Sequence, residues 1–174
     1  DQQTAPVNYF EIISKYLPPI NSSSVMVDKS IFETTGYFKE GQKKHEDHDL
    51  WIRIAVGMEV IFVNENLSFY RKTEGNTASA ANFLAEDFCN YLSTMISIKP
   101  KITLEEQLFF KQYYDRFTVL TYLQNYGQFS KEENKKVVAL LQELLEGKSL
   151  RLIKTIKILP LKGLFPLYKK IRGK

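Results

Sequence analysis

Apolar residues recur at helical spacing through most of the chain, with one short interval rich in branched residues. Residues 8–16, with Leu17 after them, place Phe10, Ile13 and Leu17 on one face, and Pro18-Pro19 stops the short helix this predicts. Residues 20–27 read as an extended segment whose serines, Ser22, Ser23 and Ser24, are small enough to let another backbone or a ligand come close. Asp28 is placed to cap a brief helix through Phe32, and Gly36 suits the left-handed position after it. The next helix covers residues 46–56, with Leu50, Trp51 and Ile54 toward the core and Gly57 as its stop. Residues 59–63 and 67–70 predict two short strands, with Asn64-Glu65-Asn66 as the turn between them.

A polar, glycine-containing stretch at 71–79 marks an internal boundary, and the pattern after it is helical throughout. Phe83, Leu84, Phe88, Leu92, Met95 and Ile96 form one stripe, closed by Pro100. Thr103 and Glu106 have the spacing of a capping box. They open a long helix that carries Leu108, Phe109, Tyr113, Phe117, Leu120 and Leu123 to a stop near Gly127. Ser130 and Glu133 repeat the signature before Val137, Val138, Leu141, Leu144 and Leu145, with Gly147 beyond. The expectation is a mostly helical α+β chain: residues 1–80 mixed, residues 81–147 a bundle of packed antiparallel helices, and residues 148–174 a terminal segment of different composition.

Composition narrows the classes. A chain of 174 residues with 44% hydrophobic content buries enough surface to fold without staples, so disorder as the main state is excluded. One cysteine, Cys89, makes no internal disulfide, and two histidines do not build a zinc finger. No uncharged apolar run reaches the ~18 residues of a bilayer-spanning helix, and the expected setting is reducing and aqueous. The first residue is Asp1, not methionine, which suggests a piece of a longer protein.

The net charge of +4 is uneven: residues 147–174 hold nine Lys or Arg and no acid, leaving 15 basic and 20 acidic residues before them. Within that tail Leu150, Ile153, Ile156 and Leu161 alternate with Lys154, Lys157 and Lys162. Phe165, Leu167, Tyr168 and Ile171 continue with Lys169, Lys170 and Arg172. Two readings stand side by side. One is attachment to an anionic membrane surface; the other is a terminal helix, interrupted by Pro160 and Pro166, packed on the preceding helices with its lysines solvated. Nucleic acid is not an expected partner, since no recognition module accompanies the charge.

The densest chemistry is His45-Glu46-Asp47-His48-Asp49, directly before Leu50-Trp51-Ile52-Arg53. Acids at a helix start satisfy free N–H groups and favour the positive end of the helix dipole, so a purely structural role accounts for them. Clustered carboxylates also repel one another, which raises the pKa of one and suits it to general-base work. A metal held by His45 and Asp49 is a third possibility. The His48-Asp49 pair superficially resembles metal-dependent phosphohydrolases, but those need further histidines that this chain lacks. Trp51 and Arg53 read as core packing and a helix-surface ion pair.

The ordered series resembles the acceptor half of family 2 glycosyltransferases with the GT-A fold. It runs through residues 20–27, Gly36-Tyr37-Phe38, Glu46-Asp47-His48-Asp49-Leu50-Trp51-Ile52-Arg53, then Phe69-Tyr70-Arg71 with a loop through Asn76 to Ser79, about residues 8–80 in all. The resemblance implies an inverting transfer of a sugar from a nucleotide-diphosphate donor to an acceptor hydroxyl, in glycan or lipid-linked glycan synthesis. It makes Asp47 the base, with Glu46 positioning Asp47 or the acceptor. Arg71 would meet the leaving diphosphate, and Ser23, Tyr37 and His48 would contact substrate. It also implies a divalent cation, Mn or Mg, with ligands mostly outside these residues, and a cytoplasmic protein, peripheral at the inner membrane face where its acceptor is lipid-linked. Lys72-Thr73-Glu74 stands where many relatives carry a histidine, and no Asp-x-Asp precedes Ile20, so this stretch alone is not expected to bind the donor or to be active. From another class, a non-enzymatic helical adaptor docking on membranes or acidic partners through its basic tail fits the charge pattern as well.

Overall fold

The computed structural model describes residues 4–16, 20–69 and 83–158. It is mostly helical, with seven α-helices and one two-stranded sheet among the described residues. In order these are β1 (Thr4–Val7), α1 (Tyr9–Lys15), α2 (Ile31–Thr35), α3 (Glu46–Ala55), β2 (Val60–Val63), α4 (Ala85–Ile98), α5 (Leu104–Asn125), α6 (Lys131–Leu144) and α7 (Gly147–Ile158).

Local signals in the sequence set several helix ends. Asn8 caps α1, its Oδ1 accepting from the Glu11 amide at 3.1 Å. Thr103 with Glu106 opens α5 and Ser130 with Glu133 opens α6, each as a reciprocal capping box. Gly36 ends α2 at φ 74°, a conformation that costs a side-chain-bearing residue but not glycine. The helix predicted from Asp28 begins three residues later: Asp28 Oδ1 accepts from the Ser30 amide at 2.8 Å, and α2 starts at Ile31. Leu17 and Pro18-Pro19 lie outside the described residues.

Three expectations change. Residues 20–27 are not continuously extended, because Ser22–Ser24 forms a 3-10 turn. Asn21 Oδ1 accepts from the Ser23 amide at 2.9 Å, and Ser24 Oγ accepts from the Asn21 amide at 3.3 Å, so short polar side chains satisfy the backbone locally. The strand at 60–63 does not pair with 67–70. It runs antiparallel to β1, with Thr4 opposite Val63 and Val7 opposite Val60, while 67–69 has no strand conformation and Tyr70 lies outside the described residues. Third, α5 is rotated from the expected stripe: Leu108 is 66% exposed, and Phe110, Tyr113, Tyr114, Thr118 and Tyr122 face inward.

One apolar core joins the two sides of the boundary at 71–79. Phe10 and Ile13 of α1, Leu50, Trp51 and Ile52 of α3, Phe88, Leu92 and Met95 of α4, Phe110 of α5, Leu141 of α6 and Ile153 of α7 belong to the same buried cluster. It is rich in tyrosine, and each buried hydroxyl needs a partner. Tyr122 donates to Asn134 Oδ1 at 2.8 Å, while Tyr91 and Tyr113 bond to each other. The sheet is a contrast. On β2, Ile61, Phe62 and Val63 are 49%, 53% and 40% exposed, so apolar side chains on both of its faces meet solvent.

Candidate functional site

The predicted acids sit in the first turn of α3, and the structure gives each a different surrounding. His45 precedes the helix at φ 60°, the one non-glycine residue with positive φ among the described residues. Its ring stacks on Tyr91 with centroids 5.3 Å apart and meets Phe117 and Phe83 edge-on at 5.1 and 5.6 Å. Its Nε2 is buried without a hydrogen-bond partner. Burial, with the neighbouring His48 and Lys44, pushes its pKa down to about 3. His48 is also lowered by burial, against the opposing pull of Asp47. Its Nδ1 lies 3.4 Å from the Tyr113 hydroxyl, which bonds Tyr91, so this side of the turn is anchored on α4 and α5.

That arrangement predicts acid sensitivity. A histidine whose folded pKa lies below its unfolded value of about 6.5 keeps its stabilising share above pH 6.5, and that share is lost as pH falls toward 3. Each such group contributes a slope of up to about 1.4 kcal/mol per pH unit. His45→Asn, which tolerates positive φ, is expected to flatten the decline of the urea midpoint between pH 6.5 and 4.5. Parallel declines in the two proteins would show that His45 is not buried neutral.

Asp49 is fully buried and wholly engaged. Its Oδ2 accepts from Lys39 Nζ at 2.7 Å and from the Thr94 hydroxyl at 2.6 Å, and its Oδ1 accepts from Arg53 Nε at 2.9 Å. Arg53 in turn donates to the carbonyls of Thr35, of Gly36 at 3.3 Å and of Tyr37 at 2.7 Å. Arg53 is therefore not a surface ion pair. Its guanidinium fastens the segment after α2 to α3, because three main-chain carbonyls converge where one planar donor reaches them all. Trp51 packs in the core with its ring edge-on to Phe38.

Asp47 and Glu46 are what remains available. Both are half-buried, and no ion pair holds either among the described residues. Asp47 Oδ1 accepts from the His48 amide at 2.7 Å, which fixes one oxygen at the helix start. Burial raises the pKa of Tyr9, of α1, and of Tyr113, of α5, and the charge of Asp47 adds to both, so three helices converge beside this carboxylate. Glu46 is raised as well, chiefly by burial, then by Asp47 and Asp87. The repulsion expected among the clustered carboxylates thus acts on Glu46.

The other sequence-predicted residues are dispersed. Tyr37 is 65% exposed and stacks face to face on Phe32 at 5.2 Å, so its ring is presented to solvent on a rigid support. Ser23 is exposed on its 3-10 turn, where its amide bonds stay within the turn. Arg71 lies outside the described residues, as do Asn76 and Ser79. Sequence reasoning missed Lys39, Thr94, Tyr9 and Tyr91, which come from distant elements and carry no local motif.

The described residues do not fit a metal. Both oxygens of Asp49 are taken by cations and a hydroxyl, His45 Nε2 is enclosed by rings, and among the described residues no three His, Cys, Asp or Glu groups converge. Among the described residues there is no ligand set for the divalent cation that the resemblance implies, whose ligands it places mostly elsewhere. Comparison with protein-family models, with characterised proteins and with solved structures returned no match.

Proposed function

We propose that this chain is the acceptor-side part of an inverting glycosyltransferase of the family 2, GT-A type, with α4–α7 as its helical C-terminal extension. The observation that carries the reading is the division of labour in the first turn of α3: Asp49 is buried and consumed by Lys39, Arg53 and Thr94, while Asp47 stays half-buried, unpaired among the described residues and held by the His48 amide. A base must be positioned yet reachable, and of these two aspartates Asp47 meets both conditions.

In this reading an acceptor hydroxyl donates its proton to Asp47 as its oxygen attacks the anomeric carbon opposite the departing nucleoside diphosphate. Glu46, whose pKa is raised chiefly by burial and also by its acidic neighbours, holds the acceptor or Asp47 in place. Tyr37 offers an exposed ring against which a sugar face packs. Arg71 meets the leaving diphosphate through charge-assisted bonds. The exposed apolar positions of β2 support the same reading, since a strand with Ile61, Phe62 and Val63 open on both faces is built to lie inside a larger layered sheet. A nucleotide-binding half would supply that cover, together with the donor and cation sites. The donor is then a nucleotide sugar, and the acceptor a glycan or lipid-linked glycan.

The test is donor turnover by the full-length gene product, measured as release of nucleoside diphosphate from a panel of nucleotide sugars in the presence of glycan or lipid-linked glycan acceptors. Acceptor-dependent release supports the reading. A folded full-length protein that releases none leaves the adaptor class in its place.

A further inference from the structure

The last described helix, α7, carries charge that no ion pair among the described residues uses. On α7, Lys148, Arg151, Leu152, Lys154 and Thr155 are exposed, while Ile153 is fully buried against the core. Lys148, Arg151 and Lys154 follow one another at three-residue spacing, which places like charges next to each other on the helix surface. None of the three enters an ion pair among the described residues, and the first turn contains no acid to balance Lys148 against the helix dipole. Helix stability alone would select against this pattern. Leu152, one turn after Lys148, borders the cationic face and is 45% exposed. The sequence beyond α7 repeats the mixture, adding five more Lys or Arg and no acid after residue 158, interleaved with leucines and aromatic residues.

We infer that the exposed face of α7 is a docking surface for an anionic lipid bilayer. Phosphate headgroups relieve the repulsion between the three cations, and the leucine bordering them beside Lys148 enters the interface, a combination that suits lipid better than nucleic acid, whose phosphates offer no apolar layer. The inference does not rest on glycosyl transfer. An enzyme or an adaptor would be brought to the same surface.

The experiment is flotation of the 174-residue chain with vesicles of phosphatidylglycerol and phosphatidylcholine, at low and at high salt, beside vesicles of phosphatidylcholine alone. Binding is expected with the anionic vesicles only and is expected to fall steeply when salt shortens the screening length to about 3 Å at 1 M. The triple variant K148E/R151E/K154E is expected to bind about 100-fold more weakly, at roughly fivefold or more per residue. Because all three side chains are exposed, its circular dichroism should match the parent's; Leu152→Ser, which removes apolar surface and leaves the charge unchanged, should weaken binding without altering the salt dependence. Equal binding to neutral vesicles, unchanged binding by the triple variant, or displacement from anionic vesicles by a single-stranded oligonucleotide at equal charge would each overturn the inference.

Discussion

If the proposed glycosyl transfer holds, Asp47→Asn in the full-length protein is expected to leave donor binding nearly unchanged and to lower turnover by about two to four decades. The substitution keeps the size of the side chain and an oxygen able to accept from the His48 amide, so the start of α3 should hold its shape. What it removes is the ability to take a proton. A hydroxyl is a poor nucleophile until it is partly deprotonated, and a positioned base lowers the barrier by roughly 3 to 5 kcal/mol. Loss of the helix-start charge costs only about 0.3 to 1 kcal/mol of stability, too little to imitate a catalytic defect by unfolding. Turnover equal to the parent's would remove Asp47 from the mechanism.

Asp49→Ala should show the opposite signature, a loss of stability. Removing this carboxylate leaves Arg53, 18% exposed, and Lys39, 35% exposed, facing each other across a buried gap. Breaking a buried ion pair by deleting one partner typically costs about 3 to 5 kcal/mol, and the solvent contact of Lys39 places this case toward the lower end. That is a large share of the roughly 5 to 15 kcal/mol that holds a typical domain. Urea unfolding should therefore shift markedly for Asp49→Ala, and Asp49→Asn, which can still accept from Thr94, should lose less. A shift under about 1 kcal/mol would mean that the Lys39–Asp49–Arg53 network does not fasten α3 to its neighbours.

The contrast between these two aspartates shows where sequence reading stops. Asp47 and Asp49 stand two residues apart in one acidic run, and composition treats them alike. They are separated by Lys39, ten residues upstream in a loop, and by Thr94, 45 residues downstream on α4. The same limit hid the aromatic cage around His45, whose walls come from residues 83, 91 and 117. Features written in contiguous residues were legible: both capping boxes, the extent of α3 and the positive φ of Gly36 follow from side chains that act within one turn.

Pairing and orientation were not. The strand β1 is four residues long and contains Pro6, which lacks an amide donor and argues against a strand until Ile61 is found opposite it. On α5, apolar and aromatic residues occur around the whole circumference, so the sequence alone does not fix which of them turn inward. Leu108 faces solvent because Phe110, Tyr113 and Tyr114 take the inner face, where α1 packs. Tyrosines suit that place since their hydroxyls find partners across the core, as Tyr113 does with Tyr91 and His48.

The central claim is that the first turn of α3 delivers a base to an acceptor at a nucleotide-sugar site. The most direct measurement is acceptor-dependent release of nucleoside diphosphate by the full-length protein, run in parallel for the parent and for Asp47→Asn at matched fold stability. The account predicts release by the parent and a fall of at least about two decades in the variant. Equal release by the two proteins, or none by a folded parent across the donor panel, would contradict it.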